Sequence, residues 1–271
     1  MRLHRAVVAP GIAVCVMVLG LSLASVLLGD AAANVEAARP TSSDQIDRQA
    51  VRAVLSISPM VPAEPFGRVA ETTPEGPLWA KWRTLTDDLA RDTAVLARCR
   101  EDMAGCPDEA RRLITIIETA RSKSGRALLG EVNRAVNLAI RPVSDLAQHG
   151  VTDRWSAPLA TFASGYGDCE DYAIAKYVAL REAGIAEDDL RLVIVADQRA
   201  HGDHAVLAVR QDDNWLVLDN RHFNLVDAGD VPNIVPLFTL SANGVQTFAV
   251  TDAAVTDAAR TRPLRVAVGQ S

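Results

Sequence analysis

The order of its hydrophobic periodicities constrains this chain more than any other feature. Before about residue 142 the apolar residues recur at three- and four-residue steps, and after about residue 190 they gather into short β-branched runs. Leu78, Trp79, Trp82, Leu85, Leu89 and Leu96 mark one buried helical face. Pro107, at a first helical position and followed by Asp108 and Glu109, opens a second helix. Its apolar face carries Leu113, Ile116, Ile117 and Ala120, and Ser124-Gly125 breaks it. A third helix passes through Leu128, Val132, Val136 and Ile140 and stops before Pro142; a loop with Trp155 and Pro158 follows. A fourth runs from about Cys169 to Ala183, closed by Gly184. Strands are expected over 191–196, 204–209 and 215–218, with further ones at 236–240 and 247–250, and Asp212-Asp213-Asn214 reads as a hairpin turn. N-terminal helices followed by an antiparallel sheet define an α+β domain. There is no internal repeat.

The first residues carry an address. Arg2, His4 and Arg5 precede an uncharged apolar stretch over 6–28, and Gly29-Asp30-Ala31-Ala32-Ala33 follows with the small residues of a signal-peptidase site. Residues 1–33 are therefore read as a signal peptide cleaved near Ala33, the alternative being an uncleaved anchor, since the stretch is long enough to span a bilayer. Either way the protein is expected to be periplasmic or secreted. Residues 34–77, punctuated by Pro59, Pro62, Pro65, Pro74 and Pro77, read as a proline-rich spacer with a short helix over 46–57. The folded domain is placed at 78–252 and a flexible tail at 253–271.

Charge and cysteine usage fit export. A formal net charge of −6 argues against a general nucleic-acid binder, which needs basic residues to neutralise phosphates. The four cysteines form no CxxC pair and are too few for a disulfide-built scaffold. Cys15 lies in the signal. Cys99 and Cys106 flank a Gly105-containing turn before Pro107, and in an oxidising compartment a disulfide closing that loop is expected, two buried thiols being the alternative. Cys169 is left without a mate.

Three residues of chemical interest follow in the order Cys169, His204, Asp219. The cysteine opens a helix, the histidine begins a strand and the aspartate ends the next. A hairpin joining those strands would set His204 beside Asp219, and a helix packed with its N-terminus toward that edge would bring in Cys169. The arrangement suits a thiol nucleophile: a helix N-terminus or a nearby His⁺ lowers a thiol's pKa, the imidazole moves the proton and the carboxylate orients it. The free backbone N–H of Cys169 would serve an oxyanion. From residue type and order alone, a buried cysteine, a core histidine and a hairpin-end aspartate account for the same pattern.

The surroundings of Cys169 add a resemblance. Gly167-Asp168-Cys169-Glu170-Asp171-Tyr172-Ala173-Ile174-Ala175-Lys176 resembles the signature of the bacterial transglutaminase-like cysteine peptidases, a family that includes periplasmic adhesin-cleaving enzymes. The similarity continues in Trp155-Ser-Ala-Pro158, Leu180-Arg-Glu-Ala-Gly184, Asp203-His204-Ala-Val and Leu218-Asp219-Asn220. It covers roughly residues 78–250 and is strongest from 155 to 220. The resemblance implies a papain-like, transglutaminase-like α+β core, with Cys169 as nucleophile, His204 as general base and Asp219 as its orienter. It implies a protein substrate, a large surface adhesin in the best-understood cases, and control by an inner-membrane cyclic di-GMP receptor. The Cys99–Cys106 pair and the proline-rich spacer depart from that best-understood pattern, which leaves the substrate less fixed than the chemistry.

Asp168, Glu170 and Asp171 crowd the nucleophile. As helix-start residues they make sense, since Asp168 can N-cap and acids in the first turn complement the dipole. Yet each opposes a thiolate: two like charges 4 Å apart cost about 1 kcal/mol even in water. A hard cation with oxygen ligands would reconcile them. The resemblance implies calcium held by acids flanking the cysteine, matching Asp168 and Glu170, with Asp171 the weaker third. His201, His222 and His149 are read as loop or helix-end residues, Trp155 as core packing and Tyr166 as a wall beside the substrate. Besides hydrolysis, the same triad supports transglutaminase or amidase acyl transfer. A non-catalytic calcium-binding module is the third reading.

Overall fold

A computed structural model describes residues 64–249, all within one structural unit. The signal peptide, the helix over 46–57 and the tail over 253–271 lie outside the described residues. Three helices come first: α1 (Pro77–Glu101), α2 (Asp108–Arg121) and α3 (Gly125–Ala139). Each buries the stripe that its periodicity marks, such as Trp82, Leu85, Leu89 and Leu96 in α1. A disulfide between Cys99 and Cys106, with Cα atoms 4.9 Å apart, closes the turn from α1 to α2.

Short elements fill the segment expected to be a loop: β2 (Arg141–Pro142), α4 (Asp145–His149), α5 (Pro158–Ser164) and β3 (Tyr166–Gly167). β2 and β3 pair in parallel, Arg141 opposite Tyr166. Helix α6 (Cys169–Ala183) comes next and ends at Gly184, whose φ of 106° few other residues adopt. All eleven residues from Glu170 to Leu180 are buried, because the helix has the sheet on one side and α2, α3 and α5 on the other. A helix enclosed all round needs no polar face, which is why its sequence lacks an amphipathic period.

The sheet contains β4 (Leu190–Asp197), β5 (Gly202–Gln211), β6 (Asn214–Leu218), β7 (Val226–Asp227), β8 (Ile234–Ser241) and β9 (Gly244–Phe248). All pair antiparallel in the order β9-β8-β4-β5-β6-β7. Asp212 and Asp213, at φ 50° and 63°, make the β5–β6 turn, so Asn214 already belongs to β6. One face of the sheet joins the helices through residues such as Leu192, Leu207 and Leu218. The other carries a smaller cluster including Val193, Val206 and Trp215.

Part of the expected spacer is folded. Ala70–Thr72 form β1, which adds to the sheet edge beside β9, Ala70 opposite Phe248. Glu64 makes a buried two-bond ion pair with Arg191 at 2.8 and 3.1 Å. Folded structure therefore includes Glu64 and β1, which precede the periodicity that starts at Leu78. No described helix is long and apolar enough to cross a membrane.

Candidate active site

The site forms where α6 points its N-terminus at the ends of β5 and β6. β3 delivers the chain to Asp168 in extended conformation, and Cys169 begins the helix. Gly167 is needed there for space: a Cβ at this position would stand 2.7 Å from the Asp171 Cβ. Its missing side chain lets Asp171 fold back under the turn, where its Oδ1 accepts the Ser156 N–H at 2.9 Å.

His204 lies in β5, 3% exposed, and Asp219 directly follows β6. The antiparallel register of the hairpin sets Leu207 opposite Leu218, which brings the two side chains together. His204 Nε2 lies 3.0 Å from Asp219 Oδ1, and the same oxygen accepts the Arg221 N–H at 2.9 Å. Burial opposes ionisation of Asp219, but the His204 hydrogen bond and charge, with Arg221, outweigh it and hold its carboxyl below the usual range. With Nε2 engaged by the carboxylate, Nδ1 is the nitrogen left to exchange a proton. Cys169 and His204 line one cleft of about 340 Å³. Pro142, Val143 and Ser144 form one wall of it and Asn220 and Arg221 another. Arg221 is braced by a 2.5 Å ion pair to Asp197.

The thiol stands in a hostile field. Its Sγ donates to Glu170 Oε2 at 3.2 Å. Burial first, then the Glu170 charge and that hydrogen bond, push the thiol well above its ordinary range, the Ala205 backbone opposing them. The acids are themselves displaced. Burial, with the Asp168 contact, pushes Glu170 up to about 9. Burial also raises Asp168, and it pushes Asp171 up to about 7.

The acids that gather are not the three expected. Asp145, Asp168 and Glu170 each offer an oxygen, all within 4.8 Å of one another. Asp171 is drawn off to the Ser156 amide, and Asp145 takes its place. Asp145 enters because the parallel β2–β3 pairing lays the start of α4 against the turn before Cys169, and Ser144 caps that helix through the Ala147 N–H. The expected N-cap is also absent, since the Asp168 side chain accepts no capping bond. Of the gathered acids, Asp145 Oδ1 and Asp168 Oδ1 are buried without a hydrogen-bond partner. Buried lone pairs on an all-oxygen donor set suit a hard cation such as calcium.

The remaining candidates stand apart from the triad. His201 is exposed on a tight turn at φ 51°, and His222 is exposed in the loop after Asp219. His149 ends α4, its Nδ1 3.5 Å from Arg154. Trp155 packs half-buried on the core with the Lys81 ammonium 5.2 Å from its ring. Tyr166 is exposed on β3 and does not line the cleft. Lys176, unnoticed in sequence beyond the motif, is fully buried with no hydrogen-bond partner on Nζ. Burial pushes it down to about 7, against the Asp219 charge.

The family model for the bacterial transglutaminase-like cysteine proteinase BTLCP matches residues 90–230. No curated protein matches the chain. Among solved structures, Legionella pneumophila LapG is similar at 24% identity, over 61% of this chain and 92% of that one, with a TM-score of 0.49. Its EGTA-treated form gives 25% identity, 59% and 86% coverage and a TM-score of 0.49. Its calcium-bound form gives 23%, 60% and 91%, and 0.48.

Proposed function

The chain belongs to the bacterial transglutaminase-like cysteine proteinases, and we propose that it hydrolyses peptide bonds through Cys169, His204 and Asp219. The observation that carries this reading is the His204–Asp219 hydrogen bond at 3.0 Å beside a cleft that also contains Cys169. His204 Nδ1 takes the thiol proton, and Asp219 holds the ring and stabilises the imidazolium. The sulfur adds to the scissile carbonyl, and the Cys169 N–H, free at the helix start, faces the developing oxyanion. His204 returns the proton to the leaving amine, then draws one from the water that resolves the acyl-enzyme.

Asp145, Asp168 and Glu170 are the residues we assign to a calcium ion. Bound there, the ion would offset two of their three negative charges and fix the helix start. Support comes from the orphaned buried oxygens and from the cost of a thiolate among bare carboxylates. We further propose that the protein acts outside the cytosol on a large surface adhesin, under an inner-membrane cyclic di-GMP receptor. This rests on the export-like N-terminus and the resemblance around Cys169.

The test compares cells expressing the wild-type chain with cells expressing Cys169→Ala. New N-termini on surface proteins are mapped by mass spectrometry, and incorporation of a labelled amine is scored in parallel. The expected result is a set of cleavage sites present only with the intact thiol and no amine uptake. Identical N-termini in both strains would remove the peptidase reading, and amine uptake without cleavage would replace it with acyl transfer.

A further inference from the structure

Two asparagines sit one turn apart on α3, at positions 133 and 137. Asparagine is a poor residue for a helix interior, because its side chain competes for backbone hydrogen bonds. Asn133 is nevertheless fully buried there. Both amides reach the segment after Asp219, which leaves β6 and has no strand pairing until Val226 in β7. Asn137 Nδ2 donates to the Asp219 carbonyl at 2.9 Å and to the His222 carbonyl at 3.2 Å. Asn133 Nδ2 donates to the His222 carbonyl at 2.9 Å and to the Phe223 carbonyl at 3.1 Å. A backbone that leaves a sheet must find partners for its carbonyls. Here side chains of a helix that does not line the cleft supply them.

We propose that Asn137, supported by Asn133, is a positioning residue for the triad: its amide fixes the Asp219 backbone and so aims the Asp219 carboxylate at His204 Nε2. Asp219 is gripped at two points, its carbonyl by Asn137 and its Oδ1 by the Arg221 N–H. Releasing the first lets the residue rotate about the second. The bond that then lengthens is the 3.0 Å contact to His204. Losing it frees the imidazole to turn and to exchange tautomers, so that Nδ1 is no longer held as the proton acceptor that the triad reading requires. This inference rests on the triad reading above.

Alkylation of Cys169 by iodoacetamide tests it without a known substrate. Rates are read on the Cys169 peptide by mass spectrometry, in excess calcium, from pH 5 to 9. The full-length chains compared are wild type, Asn137→Ala, Asp219→Ala and the double variant, with Asn137→Ser as a smaller perturbation should Asn137→Ala not fold. Asn137→Ala is expected to slow alkylation at neutral pH about three- to tenfold, the range that one hydrogen bond supplies. It should add nothing in the Asp219→Ala background, because a residue that acts only through Asp219 has nothing left to position. A purely structural role would lower the melting temperature and leave the pH–rate profile in place. Wild-type rates in Asn137→Ala and Asn137→Ser, alongside slow Asp219→Ala, overturn the inference. Equal slowing by Asn137→Ala with and without Asp219 also overturns it. An unaffected Asp219→Ala removes the triad reading itself.

Discussion

If Asp145, Asp168 and Glu170 hold a cation as proposed, withdrawing it should silence the thiol, and the structure sets the scale. Cys169 Sγ lies 3.2 Å from Glu170 Oε2. Two unit charges at that separation repel by about 1.3 kcal/mol at the dielectric of water and about 5 kcal/mol at an effective value of 20. This corresponds to roughly one to four pKa units on the thiol. A divalent ion on Asp145, Asp168 and Glu170 would relieve most of that repulsion. EGTA should therefore slow iodoacetamide alkylation of Cys169 at pH 9.5, above the value of about 9 to which Glu170 is pushed and so with its charge in place, at least about tenfold, reversibly on adding calcium. The melting temperature is recorded in parallel to show that the fold persists. Glu170→Gln, which keeps shape but loses the charge and the ligand, should be insensitive to EGTA. The reasoning fails if EGTA changes the wild-type rate by less than about twofold and Glu170→Gln reacts as the wild type does.

Calcium should raise the melting temperature more at high pH than at low pH. Without the ion Glu170 is pushed up to about 9, so over the range from its usual value to 9 the folded protein holds a proton that the ion must displace. Thermal melts at pH 6 and pH 8.5 check this, and an equal calcium shift at both would contradict it. Replacing Cys99 and Cys106 by serine removes a short closed loop and should cost about 2 kcal/mol in urea unfolding; a change under about 0.5 kcal/mol would mean that the bridge constrains nothing. Lys176 is pushed down to about 7 when folded and returns to an ordinary value when unfolded. The unfolded chain thus binds the extra proton between pH 7 and about 10.4, and that component of stability rises with pH across the window. Lys176→Met should lose it, seen as a flatter urea-stability profile from pH 7 to 9.5. Parallel profiles would refute the assignment.

What the sequence reveals and what it hides follow from how local the signal is. α1 to α3 show themselves by their stripes, and the β5–β6 hairpin by the turn residues at 212 and 213. α6 has almost no stripe, since it is enclosed, and was legible through its motif and Gly184. Asp145 was out of reach because only the non-local β2–β3 pairing brings it to Asp168. Asp171 is adjacent in sequence, but its Oδ1 accepts the Ser156 N–H and it is not among the three acids whose oxygens gather. β1 is three residues long in a proline-marked stretch, too short for periodicity to register. Asn133 and Asn137 conflicted with helix propensity, and a polar pair within an apolar helical face was the available hint.

The enclosure of α6 also bears on how this stretch would drift if turnover were lost. Ala173, Ala175 and Ala179 are buried to 2% exposure or less, and Tyr172 donates to the Ile140 carbonyl at 2.6 Å. Packing alone therefore restrains the apolar residues between Tyr172 and Leu180. A descendant that had become catalytically silent would keep most of the motif intact. The informative positions in such a comparison are the half-buried Cys169 and the loop that carries Asn220 and Arg221, where the cleft rather than the core sets the choice of side chain.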